Sequence, residues 1–158
     1  SWYKTKEHLQ SLNEQLLVLE KEPENAETIN EIFRAAHTLK GMSGTMGYKR
    51  MQSLTHNMEN VFSEIRNGKM SVTADIVNTL FDGLDALESY LQNICSSGDE
   101  GTEENADIIA KLDTFMKQGT GETPVAKAET SKSEVKQETT QNDVTKEKTV
   151  PLGDGLFF

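Results

Sequence analysis

Histidine, lysine and two glycines recur at helical spacing in AAHTLKGMSGTMGY, residues 35–48. Counting from His37, Lys40 stands at i+3, Gly41 at i+4 and Gly44 at i+7, so all four share one stripe of a helix. The apolar residues Phe33, Ala36 and Leu39 fall on another stripe, which puts the imidazole at the edge of a core with its ring toward solvent. A neutral imidazole is a competent nucleophile, and with an ordinary pKa of about 6.5 it is mostly neutral near pH 7. Each glycine inside a helix costs roughly 1 kcal/mol relative to alanine, so a stripe that keeps two of them gains something from bare backbone. Either a neighbouring helix packs closely there, or another protein's active site closes over the imidazole. Lys40 would then meet an anion held on the ring.

Attack through one ring nitrogen requires the other to hold a proton, and a carboxylate is the best acceptor for it. The segment LTHNMENVF, residues 54–62, offers one. His56 and Glu59 are three apart on a common face, offset from Leu54, Met58, Val61 and Phe62. Residues 37 and 59 stand at comparable distances from Tyr48, so two antiparallel helices joined there would bring them level.

Charge points the same way. The chain carries a net charge of -10, which argues against nucleic-acid and anionic-membrane binding. Yet no acidic residue falls between Glu31 and Glu59, while Arg34, Lys40, Lys49 and Arg50 lie in that window with His37 and His56. The window reads as a surface for an anion or an acidic partner, or as an ordinary solvated helix pair.

The elements that must position these residues follow from apolar periodicity. Leu9, Leu12, Leu16 and Leu19 predict a helix from Trp2 to about Lys21, closed by Pro23. Asn25 can cap a second, with Ile29, Ile32, Phe33 and Ala36 on its buried edge and an end near Gly47. A third spans about Lys49 to Asn67. Ser71 or Thr73 can cap a fourth, whose stripe runs from Ile76 to Ile94. After SSGDEGT, a fifth carries Ile108, Ile109, Leu112, Phe115 and Met116, with Glu103 and Glu104 in its first turn. The expected fold is all-α: an up-and-down four-helix bundle with a fifth C-terminal helix, over residues 1–118.

Residues 119–158 are dominated by Lys, Glu, Thr, Ser and Gln without apolar period, and are expected to form a flexible linker. Whether the closing PLGDGLFF is native linker stays open. Both ends read as cut from a longer protein. The single cysteine, Cys95, suits a reducing cytosol, and no apolar run approaches the roughly 20 residues of a membrane helix.

FRAAHTLKGMSGTMGY, followed by LTHNMENVFSEIRNGKM, resembles the histidine phosphotransfer domain at the amino terminus of bacterial chemotaxis histidine kinases of the CheA family. The resemblance spans residues 2–118 and implies a five-helix fold. It also implies that the histidine takes the γ-phosphoryl group of ATP from a separate kinase catalytic domain of the same protein and donates it to an aspartate of response regulator receiver domains. By position, His37 matches the phosphorylated histidine and Glu59 the carboxylate on its other nitrogen. Lys40 and His56 match the neighbours that tune it, and Gly41 and Gly44 the partner-docking surface. Met42 stands where some relatives have another glycine. The implied fragment is a phosphoacceptor without a cofactor of its own, ATP and Mg2+ being used by the kinase domain. Its implied location is cytoplasmic, with no membrane insertion and no nucleic acid.

Two other classes compete. His37, His56 and Glu59 could hold zinc, although Lys40 beside them would repel a cation. Alternatively the bundle is a purely structural interaction module and its histidine incidental. No glycine-rich nucleotide loop of the G-x-x-x-x-G-K-[ST] kind occurs, so the chain itself is not expected to bind ATP.

Overall fold

The computed structural model describes residues 2–119. Five helices run in order: α1 (Trp2–Lys21), α2 (Ala26–Met46), α3 (Lys49–Arg66), α4 (Ala74–Ser97) and α5 (Ala106–Gly119). The linker expected beyond Gly119 and the closing PLGDGLFF lie outside the described residues.

Local chemistry sets the helix ends. Asn25 caps α2, its side-chain oxygen accepting from the Thr28 backbone N–H at 3.1 Å. Gly47 closes the same helix in the left-handed region at φ 83°, where a side chain would be strained. Of the two candidate caps for α4, Thr73 serves, accepting from Ile76 N–H at 3.2 Å. Tyr48 precedes α3 but offers no capping side chain. Glu100, from the α4–α5 connection, supplies the cap instead: its carboxylate accepts from the Arg50 and Met51 backbone N–H groups, each at 2.9 Å. A negative charge at a helix N-terminus is favourable, and the Arg50 guanidinium lies 3.8 Å away, which is how an acidic side chain only 6% exposed is tolerated.

The start of α5 differs from expectation. Glu103 and Glu104 precede the helix, and Asp107 is the acid of its first turn. The Tyr90 hydroxyl donates to the Glu103 carbonyl at 2.6 Å and accepts from Asn105 Nδ2 at 2.9 Å, and Asn105 itself takes a positive φ of 54°. These contacts hold residues 103–105 outside the helix. Burial pushes the Tyr90 phenol above its usual range.

The first four helices close a ring in which α2 packs on α1 and α3, and α4 packs on α1 and α3; α5 lies against α3 and α4. Leu12, Leu16, Ile32, Leu39, Leu54, Met58, Leu80 and Leu87 are fully buried at its centre, and Leu112 is fully buried where α5 packs on it. Each fully buried leucine contributes about 2 kcal/mol relative to an exposed one. Buried Gly83 lets α4 approach α3: a Cβ there would fall 2.8 Å from Met58 Sδ. Helices α2 and α3 form the most extensive pair. Their contacts match Gly44 with Gln52, His37 with Glu59 and Phe33 with Arg66, so the two run antiparallel. The expected four-helix bundle with a fifth helix is the observed fold. Ile29 and Phe33, expected on the buried edge of α2, are only partly buried, because they lie at the margin where α2 turns from the core toward solvent.

Candidate functional site

The α2–α3 pairing delivers one carboxylate to one imidazole. Glu59 Oε2 lies 2.6 Å from His37 Nδ1, and Glu59 Oε1 lies 2.8 Å from Lys40 Nζ. The three side chains differ sharply in exposure: 64% for His37, 26% for Lys40 and 8% for Glu59. The acid therefore sits beneath the ring, at the edge of the core, while the ring stands in water.

Burial opposes ionisation of Glu59, but the hydrogen bonds from Lys40 and His37, with the Lys40 charge, outweigh it and hold the carboxyl below its usual range. Glu59 is thus ionised at neutral pH and can only accept. The proton in the 2.6 Å contact consequently belongs to His37 Nδ1, and the lone pair of the neutral ring is at Nε2, away from Glu59. The geometry selects the tautomer that leaves Nε2 nucleophilic.

Beside the ring, His37, Thr38, Gly41, Met42, Thr45 and Met46 line an open groove along α2. Gly41 is exposed, and a Cβ built there would meet no atom within 4 Å. Gly44 differs: a Cβ there would lie 2.5 Å from Gln52 Nε2, so its lack of a side chain makes room for a residue of α3. Of the two gains weighed for the glycine stripe, close helix packing applies at Gly44.

His56 is exposed on α3, one turn before Glu59, with no hydrogen bond or ion pair to Glu59, His37 or Lys40. Among the described residues no group of three His, Cys, Asp or Glu side chains is placed to hold a metal ion. The zinc reading is not supported: Lys40, a cation, occupies the oxygen of Glu59 that His37 leaves free.

Two residues at this site were not assigned to it from the sequence. The Phe33 ring lies nearly parallel to the imidazole, with centroids 6.3 Å apart and 14° between planes. The Arg66 guanidinium carbon lies 3.9 Å from the centroid of Phe33. Phe33, expected on a separate apolar stripe, stands four residues before His37 and so shares its face, which is the signal for this contact; Arg66 becomes legible only once α2 and α3 are aligned.

Fold and site together define a helical module with an exposed imidazole held by a carboxylate from the neighbouring helix. The model of the Hpt domain family matches residues 4–96, and the chain belongs to that family. It is 53% identical over 109 residues to the chemotaxis protein CheA of Bacillus subtilis (strain 168), a stretch covering 69% of this chain and 16% of that protein. The solution structure of the histidine phosphotransfer domain of CheA superposes with a TM-score of 0.68 at 43% identity, covering 72% of this chain and 86% of that one. The phosphorylated P1 domain of CheA3 in complex with CheY6 from R. sphaeroides shares the fold, with a TM-score of 0.68 at 22% identity over 75% of this chain and 94% of that one. The chain thus spans about one sixth of the Bacillus relative's length. No described helix is long and apolar enough to cross a membrane.

Proposed function

We propose that this chain is the phosphoryl carrier of a chemotaxis histidine kinase, with His37 as the phosphorylated residue. The observation that carries the reading is the Glu59 carboxylate 2.6 Å from Nδ1 beneath an imidazole open to solvent. The Nε2 lone pair attacks the γ-phosphorus of ATP held by the kinase catalytic domain of the same protein. The bond from phosphorus to the β–γ bridging oxygen breaks, and ADP leaves with the electron pair. Nδ1 keeps its proton, and the positive charge that develops on the ring is stabilised by ionised Glu59. In the second transfer an aspartate carboxylate of a response regulator receiver domain attacks the phosphorus, and the P–Nε2 electron pair returns to the ring. Neither step requires this chain to bind nucleotide; ATP and Mg2+ belong to the kinase domain.

Lys40 fixes one oxygen of Glu59 so that the other faces the ring, and its charge balances the phosphoryl oxygens. His56, exposed on the same helix as Glu59, acts only through its bulk at the edge of the docking face. Gly41 keeps the groove beside His37 bare for the partner, and Gly44 sets the approach of α3 at its far end. The ATP drawn on by the kinase domain is found in the cytoplasm, and we place the site there.

The 53% identity to a chemotaxis kinase supports this reading over an incidental histidine. Incubation with a chemotaxis kinase core and γ-labelled ATP tests it. Label should appear on the chain, leave on addition of a receiver domain, and be absent from His37→Gln. Persistent labelling of His37→Gln would reject the assignment.

A further inference from the structure

One hydrogen bond does not fix an exposed ring. The contact between Glu59 and Nδ1 anchors one atom of the imidazole, which could still tilt about that anchor and move Nε2 through an arc. A second contact is needed, and the aromatic ring nearest to hand is Phe33, one turn earlier on α2, whose centroid separation of 6.3 Å lies within the range of offset aromatic pairs. Phe33 is itself only partly buried, so the core holds it on one side alone. Arg66 covers its face at 3.9 Å, the geometry of a cation–π contact. Arg66 stands seven residues after Glu59 on the same helix. Helix α3 therefore reaches the imidazole twice, directly through a carboxylate and at second hand through a guanidinium and a phenyl ring.

We propose that Phe33 and Arg66 are positioning residues for phosphoryl transfer: Arg66 pins the Phe33 ring, and Phe33 fixes the plane of the His37 imidazole so that Nε2 is presented at a constant angle. The inference rests on His37 being the phosphoryl acceptor. Neither residue touches the phosphoryl group. Arg66 acts through Phe33, so the two should not act independently, and neither should alter how tightly the kinase domain binds. Arg66 also lies in the last turn of α3, where any cation is favourable to the helix dipole. That role alone would leave the rate of transfer untouched.

The test uses the whole 158-residue chain, a purified chemotaxis kinase core lacking its own phosphotransfer domain, and γ-labelled ATP. Phe33→Leu and Arg66→Gln should each lower kcat for labelling His37 about threefold with KM unchanged, the scale expected for loss of one exposed cation–π or aromatic contact. Arg66→Gln made in the Phe33→Leu background should add nothing further, and Phe33→Trp should restore the rate. Relaxation of the His37 imidazole carbons in NMR should report greater ring motion in both single variants, a readout that needs no kinase. Arg66 is exposed, so its variant carries the test even where Phe33→Leu loosens the helix pair. Wild-type rates and ring motion in Arg66→Gln would overturn the inference. So would a raised KM, or a further threefold loss in the Phe33→Leu background, since either places Arg66 in direct contact with partner or phosphate. Failure of the wild-type chain to take label at His37 would instead reject the carrier reading itself.

Discussion

Glu59 lies beneath His37, not beside it: the carboxylate is 8% exposed, the imidazole 64%, and 2.6 Å separates Oε2 from Nδ1. An acid in that position orients the ring and is screened from solvent, while most of the ring remains exposed. Replacing Glu59 by Ala should slow phosphorylation about tenfold or more, because the charge developing on the ring loses its partner. The loss of stability should be only about 1–2 kcal/mol, since Lys40 can turn to water when its partner goes. Phosphorylation rates and urea unfolding on the same samples check this. A variant that unfolds outright would make Glu59 chiefly structural.

The same carboxylate gives the bundle an acid-sensitive contact. Its folded pKa lies below its unfolded one, so its stabilisation is fully present above the ordinary carboxylate value of about 4.3 and is lost as pH falls through the folded value. Thermal melts of wild type and Glu59→Gln should therefore converge as pH drops below about 4. A gap that stays constant from neutral pH to pH 3 would contradict the lowered pKa.

Gly41 should separate stability from function. Space around its missing Cβ is empty, so Gly41→Ala should raise helix stability by about 1 kcal/mol. The same methyl group, in the groove beside His37, should slow transfer to a receiver domain. Gly44→Ala must first displace the Gln52 side chain and should gain less stability. Denaturation midpoints and transfer rates for the two variants decide it; equal gains, with transfer unchanged in both, would remove the docking role from Gly41.

Glu100 lies far from the imidazole in sequence and serves the scaffold. Glu100→Ala leaves two N–H groups at the start of α3 without their carboxylate and should cost about 1–2 kcal/mol. Phosphorylation of His37 in the folded fraction should be unchanged. Urea titration with a parallel labelling assay measures both; a slower rate at full folding would mean that α3 shifts with its cap.

The contrast between Glu59 and Glu100 shows what was legible beforehand. Glu59 could be paired with His37 from the sequence because both sit on long amphipathic helices joined by a short turn, where register follows from counting. Asn25 and Gly47 were equally readable, and Thr73 as one of two candidates with Ser71, since capping chemistry acts within a few residues. Glu100 caps a helix about fifty positions away in the chain, and nothing in the local spacing of the α4–α5 connection announces it. Arg66 is similar: a basic residue in a last helical turn has a sufficient local reason to be there, and its place over Phe33 follows only from how α2 and α3 align. Glu103 and Glu104 were misplaced by one turn because the hydrogen bonds of Tyr90 override a favourable helix-start composition.

The central claim is that Glu59 reserves Nδ1 and so directs the phosphoryl group to Nε2. The chain labelled with 15N at histidine, phosphorylated by a kinase core and followed by long-range proton–nitrogen and phosphorus NMR, tests it most directly. The phosphorus should couple to Nε2 of His37, with a proton retained on Nδ1. Phosphorus on Nδ1, or on His8 or His56 in place of His37, would contradict it.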